Sequence, residues 1–175
     1  MKTITYDDLI NLFYYNDITG YLWWTVKSSG RDLNKPAGYM NGNYRQVCVN
    51  GIYYYAHRLI WMYVHGYMPE NQIDHINRNG SDNRIKNLRE VTPSCNTRNT
   101  GMLKNNKSGI KGVVWNRRSK KWVARVEVNC KSLYLGMYDE KLDAAFARWS
   151  AEREYGFPNC NTTSSAKAFI DSYEK

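Results

Sequence analysis

The run Ile73-Asp74-His75-Ile76-Asn77 is followed by Asn83-Arg84, then Asn87-Leu88-Arg89, then Thr92-Pro93 and a closing Asn96-Thr97-Arg98-Asn99. Alternation of polar and apolar residues predicts two short strands, and the Asn, Asp and Gly residues between them predict a turn-rich loop. Thr92-Pro93 predicts a helix start, with Thr as N-cap and Pro at the first helical position. Strand, loop, strand and helix are thus forced into one short span. Asp74 and His75 fall on the first strand, Asn87 on the second and Asn96 just inside the helix. As neighbours on a strand, Asp74 and His75 point to opposite sides unless the strand ends or bulges there.

The flanking sequence reads as two compact parts. An opening helix is predicted from about Tyr6 to Tyr15, with Thr5 as N-cap, Asp7 and Asp8 near the positive end of its dipole, and Leu9, Ile10, Leu12 and Phe13 as its apolar side. Strand-like runs at Tyr21 to Val26, Tyr44 to Val49 and Ile52 to Tyr55 suggest a small sheet, the last two joined by Asn50-Gly51, which favours a tight primed turn. His57 to His65 reads as a helix closed by Gly66 and Pro69. Most Tyr and Trp residues here are expected in the core. His57 and His65, on one helix without a third ligand nearby, are not expected to share a metal ion.

Thr100 to Gly109 is polar and glycine-flanked, which marks a boundary. Beyond it, Val113 to Asn116, Lys121 to Asn129 and Lys131 to Tyr138 read as three strands, followed by a helix from about Glu140 to Tyr155 with Leu142, Ala145, Phe146 and Trp149 as its stripe. In the middle strand Trp122, Ala124, Val126 and Val128 face the helix, and Lys121, Val123, Arg125 and Glu127 face away. The fold class is α+β. A small N-terminal α+β region over residues 1–100 carries the strand-strand-helix segment (about 70–100). A linker over 101–109 leads to a three-stranded antiparallel sheet backed by one helix over 110–160, and 161–175 is a tail.

The formal charge of +9 is unevenly spread. Arg98 to Tyr138 holds ten Lys/Arg against one acidic residue, while the segments on either side nearly balance. With Trp115, Trp122 and Tyr134 interleaved, this suits contact with a polyanion. The cysteines Cys48, Cys95, Cys130 and Cys160 are scattered without a Cys-x-x-Cys pair, so neither a disulfide framework nor a thiolate zinc site is suggested, and a reducing cytoplasm fits. The longest apolar stretches fall short of a bilayer span, and the opening residues lack a signal-peptide core.

Cutting a phosphodiester needs a base to deprotonate water, a cation to stabilise charge and groups to hold both in place. His75 is a suitable base near neutral pH. The carboxylate of Asp74 and the amide oxygen of Asn96 form an incomplete, oxygen-only ligand set that suits Mg2+ rather than zinc. From its strand, Asn87 could bond across to the loop that carries His75.

Asp74-His75, Asn87-Leu88-Arg89 and Asn96-x-x-Asn99 resemble the ββα-metal finger of HNH endonucleases, in the phage and intron-associated homing branch; His57-Arg58-Leu59 is similar to that branch as well. The resemblance covers roughly Tyr44 to Asn99. It implies catalytic roles for His75 as general base and Asn87 as orienting residue, and one Mg2+ or Mn2+ ion per active site held by Asp74 and Asn96. It also implies 5′-phosphate and 3′-hydroxyl products and, for a phage-encoded protein, action in the host cytoplasm. The third eponymous position is Asn96 rather than His.

Gly109-Ile110-Lys111-Gly112-Val113, Lys121-Trp122-Val123-Ala124, Tyr134-Leu135-Gly136 and Asp143-Ala144-Ala145-Phe146-Ala147 resemble the plant ethylene-response (Apetala-type) DNA-binding domain. That resemblance covers about Ser108 to Gly156 and implies a sheet set against duplex DNA. The candidate contacts are Asn116, Arg117, Arg118, Lys121, Arg125, Lys131 and Tyr134, with Arg98 added from the basic segment. Val114 stands where plant members carry Arg, and Tyr134 where they carry Trp, so their target sequence does not transfer. The expected function is a site-directed DNA endonuclease; the alternatives are a non-catalytic DNA-binding regulator and a nuclease without site preference. Monomer and homodimer both remain open.

Overall fold

The computed structural model describes residues 3–102, 105–160 and 163–173. The chain divides into two compact units, Met1–Asn96 and Thr97–Lys175.

The first unit opens with α1 (Tyr6–Leu12), whose start is fixed by a capping box: the Thr5 hydroxyl accepts from the Asp8 amide and the Asp8 carboxylate accepts from the Thr5 amide. The helix does not run on to Tyr15. Phe13–Asn16 is instead strand β1, with Phe13 and Tyr15 buried and Tyr14 exposed, the two-residue period of a half-buried strand. It pairs antiparallel with β2 (Tyr21–Trp24). The Asn16 side chain accepts from the Ile18 and Thr19 amides and shapes the turn between them. Strand β2 therefore does not join the Tyr44–Tyr55 hairpin, as the sequence suggested. That hairpin belongs to a separate sheet of β3 (Tyr39–Asn41), β4 (Tyr44–Val49) and β5 (Ile52–Tyr55), in the order β3-β4-β5. Asn50 and Gly51 both take positive φ, 51° and 80°, the backbone a primed turn requires.

Helix α2 (Ala56–His65) ends at Gly66, which is left-handed and donates its amide to the Met62 carbonyl. Leu59 and Ile60 of α2 pack with Leu9, Phe13, Leu22, Val47 and Val49 in one core, and Ile73 and Leu88 join it from β6 (Gln72–His75) and β7 (Leu88–Val91). The short helix α3 (Pro93–Arg98) follows. Not all aromatic residues go inward as expected: Tyr39, Tyr44, Tyr53 and Tyr55 lie exposed on the β3-β4-β5 sheet. Cys48 is a free thiol, whereas Cys95 is disulfide-bonded, which the scatter of cysteines did not suggest.

In the second unit β8 (Val113–Asn116), β9 (Lys121–Val128) and β10 (Lys131–Tyr138) form an antiparallel sheet in the order β10-β9-β8, packed against α4 (Lys141–Glu154). Val113 and Ala124 meet Ala144 and Ala145, while Val126 meets Ala151 and Phe157. A further helix, α5 (Ser165–Tyr173), adds Ala166 and Ile170 to this core in a region read from sequence as a tail. Of the boundary segment, Leu103 and Lys104 lie outside the described residues; after them, the Asn106 side chain accepts from Ser108 and Gly109 and builds a corner. Cys130 is free and Cys160 is disulfide-bonded.

The inward face of α4 differs from the expected stripe. Phe146 is exposed, and Arg148 and Glu152 are buried as an ion pair at 2.8 Å. Alanines at 144, 145 and 151 let helix and sheet approach closely, and Arg148 donates to the Arg125 carbonyl at 2.7 Å. No helix among the described residues is long and apolar enough to cross a membrane.

Removing one member of a buried pair strands the other charge, at a cost of about 3–5 kcal/mol. Glu152→Ala is expected to lower the stability of this unit by that amount in urea denaturation followed by tryptophan fluorescence; a loss of about 1 kcal/mol or less, the value of a surface pair, would show the pair to be dispensable.

Candidate functional site

Strands β6 and β7 pair in the register Gln72↔Val91, Ile73↔Glu90, Asp74↔Arg89 and His75↔Leu88. The ladder is regular to its end, so Asp74 and His75 take opposite faces. Asp74 shares its face with Gln72, and the Asn96 side chain donates its Nδ2 to Gln72 Oε1 at 2.7 Å. Two residues of a strand span about 7 Å, so α3 sets the Asn96 amide within reach of the Asp74 side of the hairpin. The Asp74 carboxylate is buried, and its Oδ2 accepts from Nε and Nη2 of Arg89 at 2.9 and 2.7 Å.

His75 lies on the other face. It is buried, and its Nε2 is 2.8 Å from Oδ1 of Asn83. An amide oxygen accepts, so this contact fits the tautomer with its proton on Nε2, in which Nδ1 is the basic nitrogen. Asn83 itself is only 1 % exposed. Its backbone is held from the N-terminal hairpin, where the Tyr15 hydroxyl donates to the Asn83 carbonyl at 3.2 Å and accepts from the Ile85 amide at 2.9 Å. Burial raises the pKa of the Tyr15 hydroxyl, which keeps it a donor. Gly20 in the same hairpin lies so close that a Cβ would sit 2.6 Å from the Arg84 nitrogen.

Asn87 is not on the second strand but in the 3-10 turn Ile85–Asn87 just before it. From there it fastens the intervening loop: its Nδ2 donates to Asn77 Oδ1 at 3.0 Å and to the Asp82 carbonyl at 2.8 Å, and its Oδ1 accepts from the Asn77 amide at 3.0 Å. Asp82 belongs to the same scaffold. Arg84 forks onto its carboxylate and holds it well below the usual carboxylate range, at about 2. On the far side of the loop, Gly80 abuts the turn between β3 and β4, where a Cβ would meet the Asn43 carbonyl at 2.5 Å.

Sequence reasoning missed His57, Tyr44 and Asn83. The His57 ring stands edge-on to His75, with centroids 5.2 Å apart, and stacks on Tyr55 at 5.4 Å; Tyr44 touches both histidines. His57 is 7 % exposed and its Nδ1 has no hydrogen-bond partner. Burial, the neighbouring His75 and Arg58 push its pKa down to about 3, so it stays neutral. His65 packs on Trp61 instead, so the two histidines of α2 do not converge. Arg58 was noted only as part of a motif; its guanidinium donates to the Pro69 and Asn71 carbonyls at 2.6 and 2.9 Å and steers the chain into β6. No spacing rule pairs His57 with His75, and an Asn-rich turn gives no sign of which Asn is buried.

In the second unit the candidate contacts divide. Arg117, Arg118, Arg125, Lys131 and Tyr134 are exposed. Asn116 turns its Oδ1 to the Arg118 and Ser119 amides, and Lys121 pairs with Asp139 at 3.1 Å. Arg98 places its guanidinium over Phe157 at 4.0 Å, close to the Gly156 carbonyl and Cys160 Sγ, and burial lowers its pKa.

Residues 54–98 match the model of the HNH endonuclease family. This segment is similar to an HNH endonuclease domain. It spans β5 from Tyr54, α2, β6, β7 and α3, and so contains His57, Asp74, His75, Asn83, Asn87 and Asn96. The chain is also 33 % identical over 76 residues to Protein 3.8 of Escherichia phage T7, covering 43 % of this chain and 63 % of that protein. The match thus spans less than two thirds of the relative. No solved structure matches the chain.

The buried Nδ1 of His57 gives a stability prediction with a defined sign. Its folded pKa, about 3, lies below the 6.5 of a free imidazole. The unfolded chain therefore takes up a proton that the folded chain refuses, and this contribution to stability is complete above pH 6.5 and lost as pH falls towards 3. His57→Phe keeps a ring and removes the orphaned nitrogen. Thermal melts are expected to show a Tm a few degrees higher at pH 5 and a flatter decline on acidification; an unchanged acid limb would mean that His57 is not held neutral.

Proposed function

We propose that this chain is a divalent-metal-dependent DNA endonuclease of the homing type, with the HNH segment as its cutting centre and the basic sheet of the second unit binding duplex DNA. The observation that carries the reading is the Nε2 contact of a buried His75 with Asn83, within a segment that matches a nuclease family. It supplies an oriented base where phosphodiester hydrolysis needs one.

Among the described residues no group of three His, Cys, Asp or Glu comes together as a metal cluster. The donor set nevertheless fits a hard cation that keeps most of its coordination for water and phosphate. Asp74 offers a carboxylate, and Asn96, whose Nδ2 is committed to Gln72, offers its Oδ1. These two residues would hold one Mg2+ or Mn2+ ion, which when bound would stabilise charge on the phosphate and the leaving oxygen. Arg89, paired with Asp74 through Nε and Nη2, keeps that carboxylate aimed. His75 takes the proton of the attacking water on Nδ1, while Asn83 fixes the tautomer through Nε2. Asn87 ties down the loop that carries Asn83, and so acts on the base through its support. Attack in line with the 3′-oxygen would leave 5′-phosphate and 3′-hydroxyl ends.

For the second unit, the order of Gly-Val, Trp, Leu-Gly and Ala-Ala signals supports an Apetala-type module. Arg117, Arg118, Arg125, Lys131 and Tyr134 are its proposed contacts, with Asn116 and Lys121 at the edge. The concentration of cations in this segment supports DNA as the partner over an uncharged ligand.

Incubation with supercoiled plasmid and Mg2+ tests the proposal. Nicked or linear product is expected, lost with chelator and with His75→Ala, while His75→Ala still shifts duplex DNA on a gel. Binding should weaken with salt by a log-log slope of about −0.9 per phosphate contacted. Retained cutting in His75→Ala would remove it as the base, and binding without any cutting would favour a regulator.

A further inference from the structure

The outer face of the β8-β9-β10 sheet is not uniformly charged. Val114, Val123 and Met137 are direct cross-strand neighbours, Val114↔Val123 and Val123↔Met137, and form an apolar row across all three strands on the side away from α4. Val114 and Met137 are 51 % and 47 % exposed, yet Val123 between them is only 5 % exposed. It belongs to neither cluster packed under the helix. The next row on the same face is Arg125↔Tyr134, and the row beyond Val114 holds Asn116↔Lys121. An open hollow of about 500 Å³ lies here, with Val114 and Val123 in its lining and Arg117, Arg125 and Asn116 among the polar residues around them.

An apolar strip framed by cations and an amide suits a surface that is anionic at its edges and presents a methyl group at its centre. In the major groove the one apolar group that distinguishes a base pair is the 5-methyl of thymine, while phosphates line both rims. A purely electrostatic contact would have no use for an exposed Met and Val amid the charge.

We infer that Val114, Val123 and Met137 form a specificity strip that reads the 5-methyl group of thymine, while Arg117 and Arg125 hold the flanking phosphates or base edges. This deepens the proposal that the second unit binds duplex DNA and rests on it. Val114 is a direct contact, Met137 closes the opposite side, and Val123 is the floor. The strip makes the domain prefer A·T pairs at its centre, and it makes that preference depend on a methyl group rather than on hydrogen bonds.

The test uses the full chain with chelator present, so that binding is read without cutting. Duplexes selected from a randomised library are amplified once with dTTP and once with dUTP, which removes every thymine methyl and leaves base pairing intact. The selected pool is expected to be rich in A·T at its centre and to bind about four-fold more weakly per contacted methyl when made with dUTP, the ratio that burial of one methyl gives. Val114→Ser and Met137→Gln, each at an exposed position, should bind the two pools equally. Equal binding of both pools by the wild type, or discrimination that survives in both variants, overturns the strip while leaving DNA binding in place. Failure to select any duplex overturns the DNA reading beneath it.

Discussion

A histidine serves as a base in a defined direction only if one of its nitrogens is already spoken for. In this protein the side-chain oxygen Oδ1 of Asn83 engages Nε2 of His75, and many contacts of the first unit hold Asn83 in place. Tyr15 grips its backbone from β1, Gly20 leaves the space that lets the hairpin close on Arg84, Asn87 ties down the loop in front of it, and Arg84 locks onto Asp82. Each of these is an ordinary contact. Together they remove the freedom an Asn-rich loop would otherwise have, and so convert a flexible stretch of sequence into a support for one imidazole ring.

The opposite face of the same strand works by charge. Asp74 is buried and paired with Arg89 directly across the ladder, and the Asn96 amide is aimed by its bond to Gln72. One strand thereby places an imidazole on one face and a carboxylate on the other. The second unit solves a different problem. Its sheet presents charge outward while its helix sinks Arg148 and Glu152 into the interior, where the guanidinium reaches the Arg125 carbonyl and braces the strand whose side chain faces out.

Local signals in the sequence were legible where the physics is local. The Asn50-Gly51 turn, the start of α3 at Thr92-Pro93, the end of α2 at Gly66 and the two faces of β9 all follow from backbone preference or period. The chemical residues Asp74, His75 and Asn96 could be singled out because their types are unusual in that pattern. What was not legible depends on contacts distant in sequence. Phe13 to Tyr15 satisfy a helix and a strand equally well, and their pairing with β2 decides for strand. Phe146 and Arg148 sit within one turn of each other, and only the approach of the sheet determines that the cation goes in and the ring stays out. His57 and Asn83 carry no mark of their roles, since burial beside His75 is a property of the assembled fold.

The dependence of Asn83 on Tyr15 also bears on how such a centre can travel between proteins. The span similar to the nuclease family begins at residue 54, whereas the contacts that hold Asn83 begin at residue 15. The portion recognisable by similarity is thus smaller than the portion that holds His75 and Asn83 in place. A change in that hairpin is therefore felt inside the matched span, at an Asn83 to which the hairpin is joined only through Tyr15 and the close approach of Gly20.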